Sequence, residues 1–199
     1  MYPIITISRE FGAGGHTIGK RVAERLDVPY YDNEIVDQVA RRSGYAKAVI
    51  NEQGEYTDKM SKWFSVSVAS AMYFESPQDE IFRIQKRVIL ESADQGPCVI
   101  VGRCADYILS GDKYRTLNVF IHADMEHRID RIKKTYGDYD DDIEKFLNHR
   151  NRDRKTYYKY YTDREWGNYQ NYQLNLDSGY LGVDQCVEII VAAAKNADK

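Results

Sequence analysis

Apolar positions fall into two rhythms along this 199-residue chain. Residues 3–8 (PIITIS) are a β-branched run ending at a glycine-rich turn, the pattern of a buried first strand. From about His16 the period lengthens. Ile18, Val22 and Leu26 share one helical face, with Ala23 beside them. Asp27 and Pro29-Tyr30-Tyr31 predict a loop and a second small strand. Asp32 or Asn33 can cap a helix running to about Arg42. Residues 43–78 contain Gly44, Gly54 and Pro77 and a patchy apolar stretch around Trp63 and Phe64; they read as a helical insertion. Residues 79–95 are an amphipathic helix through Ile81, Ile84, Val88 and Leu90, stopped by Gly96-Pro97.

Cys98 to Gly102 is the clearest buried strand, and 103–109 a short helix. Leu117–Ile121 is another strand, after which Asp124 caps a helix bearing Arg128 and Arg131. A charged segment, 133–145, leads into a long tyrosine-rich helix to about Tyr161. Tyr172–Leu176 is a last strand and 183–194 a last helix. Strands alternating with helices predict an α/β domain with a mainly parallel, five-stranded sheet. No internal repeat or linker interrupts it, so the chain reads as one domain, 1–199.

Composition narrows the function classes. At 43% hydrophobic and 30% charged, the chain is ordinary for a globular protein. A net charge of −3 argues against a protein that coats nucleic acid, while a phosphate pocket needs only local positive charge. No apolar run approaches the ~20 residues that span a bilayer. Cys98, Cys104 and Cys186 fit neither a zinc site nor a redox pair, and read as reduced thiols of a cytoplasmic protein.

The turn Ser8 to Ile18 lies between the first strand and the first helix, where glycines let backbone N–H groups turn inward on a phosphate. Two registers fit. In the first, Gly12 and Gly14 are the loop glycines, and Gly15 stands where a P-loop lysine belongs. In the second, Gly14 to Lys20 has G-x-x-x-x-G-K spacing, but Arg21 replaces Ser/Thr and the loop cuts into the Ile18/Val22/Leu26 helix. The first is favoured. It leaves Arg9, Lys20 or an arginine from elsewhere to supply the missing charge. The rival reading is a turn that only permits tight packing, although four glycines at 12, 14, 15 and 19 exceed what packing needs.

The stretch ITISREFGAGGHTIGKRVAERLDVPYYDNEIV resembles the opening of the cytidylate-kinase-like family. VIVGRCADYIL, FIHADMEHRIDRI and LNLDSGYLGVDQCVEII resemble three further blocks of it. The resemblance implies a doubly wound sheet of P-loop NTPase topology, with a monophosphate-binding insertion over 43–78 and a lid over about 135–170. It implies transfer of the γ-phosphoryl group of ATP, with Mg2+, to a nucleoside monophosphate, CMP or dCMP first. By position, Arg9, Gly12, Ala13, Gly14, Gly15, His16 and Thr17 would hold ATP. Asp32, Arg103, Asp106 and Asp177 would face the acceptor. Arg103, Arg128, Arg131, Arg150 and Arg154 would serve the transfer itself. Asp32, Glu10 or Thr17 would meet Mg2+. The chain departs from the family's enzymes at Gly15, and at Val101-Gly102-Arg103-Cys104 where they carry Asp-Gly-Arg-Asp. A kinase for another small acceptor and a non-catalytic nucleotide-binding module are therefore rival functions.

Phosphoryl transfer needs in-line positioning and cancellation of charge more than covalent help, and arginine's planar fork suits both. Each candidate also has a structural reading. Arg128 and Arg131 share a helix face, Asp32 can be a cap, and Arg150, Arg152 and Arg154 can be a solvated stripe. Tyr157, Tyr158 and Tyr161 suit lid packing or a homodimer contact better than base stacking.

Overall fold

The computed structural model describes residues 2–47, 50, 76–137 and 142–197. Among the described residues five strands form: β1 (Ile4–Arg9), β2 (Tyr30–Tyr31), β3 (Val99–Val101), β4 (Thr116–His122) and β5 (Leu174–Asp177). Their order in the sheet is β2-β3-β1-β4-β5, and every pairing is parallel. The helices are α1 (Gly15–Leu26), α2 (Asn33–Ser43), α3 (Pro77–Asp94), α4 (Ala105–Ile108), α5 (Met125–Tyr136), α6 (Ile143–Thr162) and α7 (Ser178–Asn196).

Helices cover both faces of the sheet, so its strands are apolar on both sides. Alternation then decides which layer each residue joins. Ile5, Ile7, Val99, Val101, Val119 and Ile121 pack against α1 and α7 through Ile18, Val22, Val187 and Ile190. Ile4 and Ile100 pack on the other face with Ile35 and Val39 of α2, Ile81 and Val88 of α3, and Tyr157 of α6. Each isoleucine fully withdrawn from water contributes about 1.5–3 kcal/mol.

Some boundaries differ from the sequence pattern. Ser76 accepts from the Asp79 N–H at 3.1 Å and caps α3, so Pro77 opens that helix instead of punctuating an insertion. Of the expected insertion, residues 48–49 and 51–75 lie outside the described residues. Tyr172 leaves a 3-10 turn at Tyr169–Asn171 and is buried before the last ladder begins at Leu174. The last helix begins at Ser178, five residues earlier than its apolar rhythm, and is broken at Gly182 (φ 74°, ψ 163°). Among the described residues no helix is long and apolar enough to cross a membrane.

Candidate phosphate-binding site

From β1 the chain moves to β2 and β3 on one side, then to β4 and β5 on the other. Strand order therefore reverses beside β1. In open α/β sheets ligands bind outside the carboxyl ends of the strands at such a point. The glycine turn occupies that place. Gly12 (φ 85°) and Gly14 (φ 81°) adopt left-handed conformations that L residues disfavour. Gly14 is the N-cap of α1 and brings no capping side chain, so the first N–H groups of the helix are not met by one.

The alternative register does not line this loop. Gly19 and Lys20 fall inside α1. A Cβ on Gly19 would stand 3.1 Å from both Ile7 and Val101, so that glycine serves helix–sheet packing. Lys20 is exposed, and Arg21 pairs with Asp184 of α7.

Arginines arrive at the loop from three elements. Arg9 ends β1, and its Cβ and Cγ lie 2.6 and 2.7 Å from where a Gly15 Cβ would be. On α5, the Arg131 Cζ lies 2.6 Å from the corresponding position at Gly14, and Nη2 donates to Thr17 Oγ1 at 3.0 Å. One turn earlier, Arg128 is buried against Gly12. Its Nε donates to the Ala123 carbonyl at 3.1 Å and lies 3.7 Å from Glu10 Oε2. Its Nη1 is buried with no hydrogen-bond partner among the described residues, a donor placed to meet an anion.

From α6, Arg154 Nη1 donates to the Arg9 carbonyl at 2.9 Å, and its guanidinium lies 5.3 Å from the Phe11 ring centre. Arg150 lies over Phe146 at 5.1 Å and Phe11 at 6.0 Å. Asn151, on the same helix, accepts from the Phe11 N–H at 2.8 Å. Arg152 is exposed. The sequence reading missed Asn151, because a lone amide on a helix carries no pattern. Its place in the sequence between Arg150 and Arg152 is the signal that could have drawn attention to it.

Beside the loop, His16 Nδ1 lies 2.8 Å from Asp32 Oδ2 and 2.9 Å from Tyr30 Oη. Asp32 stands at the N-cap position of α2 but makes no capping bond with its side chain, so it is not the cap that its position suggested. Burial, with the Asp32 carboxylate next in importance, pushes the Tyr30 phenol far above its ordinary range. These contacts bear on Mg2+. Asp32 is engaged by His16 and Tyr30, Thr17 by Arg131, and Glu10 by the Ala123 N–H (3.3 Å) and Arg128. Among the described residues no group of three metal-ligating side chains assembles. The side chains expected to meet Mg2+ therefore do not fit it as direct ligands, whereas the uncapped glycine loop fits the phosphates of ATP.

The acceptor-side candidates lie deeper. Gly102, Arg103 and Cys104 take φ of 73°, 59° and 56°, and two of these three are not glycine. This turn directs Arg103 into a buried junction, where Nη1 donates to Gln85 Oε1 at 3.1 Å. Gln85 Nε2 in turn donates to Tyr157 Oη at 3.1 Å. Asp106 is also buried and accepts from Tyr158 Oη at 2.6 Å. Burial raises its carboxyl pKa, outweighing the opposing effects of the Tyr158 hydroxyl, nearby backbone N–H groups and Arg164. A carboxyl raised in the fold contributes its full share of stability below the unfolded value of about 4 and loses it as pH rises through the folded value. Asp106→Asn is thus expected to raise Tm at neutral pH relative to the parent and to leave it little changed at pH 3.5, as melts across pH would record. A uniform Tm loss at both pH values would contradict this.

Asp177 ends β5 and accepts from the N–H groups of Gly179 (2.9 Å) and Tyr180 (3.1 Å), which makes it the cap of α7. Asp177→Ala should cost about 1 kcal/mol, read as a lower denaturation midpoint. A large change in acceptor KM at unchanged stability would give Asp177 a direct substrate contact instead.

The model of the cytidylate kinase-like family matches residues 4–180. The chain belongs to the cytidylate kinase-like family. A cytidylate kinase of Archaeoglobus fulgidus is 25% identical over 96% of this chain and 94% of its own length. An uncharacterized protein from Eubacterium ventriosum shares the structure at TM-score 0.71 and 26% identity, covering 98% of this chain and 99% of that one. Shikimate kinase from Bacteroides thetaiotaomicron shares the fold alone, at TM-score 0.53 and 15% identity over 98% of this chain and 99% of its own. For this cytidylate kinase-like protein, family and fold together support a nucleotide or small-molecule kinase.

Proposed function

We propose that the protein transfers the γ-phosphoryl group of ATP to a nucleoside monophosphate, with CMP or dCMP the leading acceptor. The observation that carries this reading is the seating of Arg128, Arg131 and Arg154 around one uncapped glycine loop at the reversal point of a parallel sheet. Two polyanions must be brought together for this reaction, and cations fixed in place before reaction cancel their charge at no reorganisation cost. The loop from Glu10 to Thr17 holds the triphosphate. Arg103, Asp106 and Asp32 stand on the acceptor side, and α6 carries Arg150 and Arg154 across the loop. Mg2+ would be carried by the nucleotide phosphates and water, where it would supply cancellation of phosphate charge.

Product formation from ATP against a panel of nucleoside monophosphates tests the reading. The expected result is acceptor-dependent diphosphate, greatest with cytosine. No turnover across the panel, with ATP still bound, would overturn it and leave a binding module or a kinase for another acceptor. Gly15 and the altered residues around Arg103 favour that second reading.

A further inference from the structure

Two glycines of the loop are occupied in an unusual way. A glycine in a phosphate loop commonly leaves room for a ligand's oxygens to approach the backbone. Here the space beside Gly14 and Gly15 is taken by cationic side chains of the same chain. At Gly14 the atoms nearest a would-be Cβ are all from one guanidinium: Arg131 Cζ at 2.6 Å, Nη1 at 2.9 Å and Nε at 3.0 Å. At Gly15 they are Arg9 Cβ at 2.6 Å, Cγ at 2.7 Å and Cδ at 3.4 Å. Contacts under 3.0 Å from a real Cβ would force one partner to move, so neither position accepts a side chain while the arginines stay.

We infer that Gly14 and Gly15 are seats for Arg131 and Arg9, and that these two arginines replace the lysine missing at position 15 as the cations binding the β- and γ-phosphates of the nucleotide. The inference rests on the kinase reading above and names the groups that make its phosphate site work.

Three observations support it. Arg131 is tied to the loop by the Thr17 hydroxyl, which accepts from Nη2 at 3.0 Å, so its guanidinium already lies against Gly14 without a ligand. Arg9 is the last residue of β1, and its carbonyl is tied to Arg154 at 2.9 Å, which anchors the base of its side chain. The only lysine near the loop in sequence, Lys20, is on the exposed surface of α1 and is not seated there. An arginine lying on the loop spans two phosphate oxygens with its fork, where a lysine offers a point charge. The exchange also explains why a lysine cannot simply be restored at position 15: its Cβ would displace Arg9.

The test is calorimetric titration of the full chain with inorganic tripolyphosphate and, separately, with ATP, alongside thermal melts. Arg131→Gln and Arg9→Gln each keep a polar side chain and remove its charge. Each is expected to weaken tripolyphosphate binding at least tenfold with little change in Tm. The double variant Arg9→Gly/Gly15→Lys, which removes the Cβ and Cγ that crowd position 15, is expected to bind tripolyphosphate more tightly than Arg9→Gly alone, while Gly15→Lys in the parent lowers Tm and gains nothing. If the parent binds both ligands and the variants bind them equally well, the arginines merely brace the loop; the inference is overturned and the kinase reading stands. If the parent binds neither ligand, the kinase reading falls and the inference falls with it.

Discussion

Arg103→Ala is expected to lower acceptor-dependent turnover by on the order of 10²–10³ while leaving ATP affinity nearly unchanged. Part of the change will be structural, because Arg103 donates to the buried Gln85 at 3.1 Å. Removing the donor strands the amide oxygen, at about 1–3 kcal/mol. Gln85→Leu separates the two effects. It removes the same hydrogen bond from the other side, together with the one to Tyr157 Oη, and keeps the guanidinium. If Arg103 grips the acceptor, Arg103→Ala loses far more activity than Gln85→Leu at a similar Tm. Matching losses in the two variants would make Arg103 a packing residue. The consecutive left-handed residues Arg103 and Cys104 make the first outcome the expected one. Backbone held in that region costs roughly 1–2 kcal/mol per residue and persists where the surroundings fix it, most often at working sites.

Gly12→Ala is expected to damage the loop with a single methyl that leaves every charge in place. The position has φ 85°, and the added Cβ would stand 3.0 Å from Arg128 Cβ and 3.1 Å from its carbonyl oxygen. Left-handed strain and overpacking together amount to roughly 2–5 kcal/mol. That is a large share of the roughly 5–15 kcal/mol that holds a domain folded. Gly44→Ala is the control. It has φ 76° but nothing within 4 Å of the new atom, so only the conformational cost applies. Denaturant midpoints should fall in the order parent, Gly44→Ala, Gly12→Ala, with nucleotide binding lost only in the last. Equal shifts in the two variants would show that Gly12 is a turn residue without a close partner.

β1, β3 and β4 were readable because each is a short apolar run bounded by glycine, proline or a charge, and burial on both faces leaves such a run few alternatives. Asp124 was readable as a cap for the same local reason, and its carboxylate does accept from the His127 N–H. What escaped is non-local. Whether Gly14 and Gly15 leave space or fill it depends on Arg131 from α5 and on the path of Arg9. Asn151 meets Phe11 across 140 positions of sequence, and Gln85 meets Arg103 from another helix. The start of α7 was hidden because its first turn is made by the Asp177 cap, ahead of the apolar rhythm that resumes after Gly182. The pattern of arginines located the elements that converge on the loop, but not which arginine lies on which glycine.

β1 is hydrogen-bonded on both edges, to β3 and to β4, and covered by a separate apolar cluster on each face. Its amides are therefore expected to exchange with solvent deuterium only when the whole domain comes apart. The glycine loop is a direct continuation of that strand. On the proposed function, the loop that would meet an arriving nucleotide thus hangs from a segment expected to exchange slowly, so its point of attachment would stay fixed while the loop adjusts.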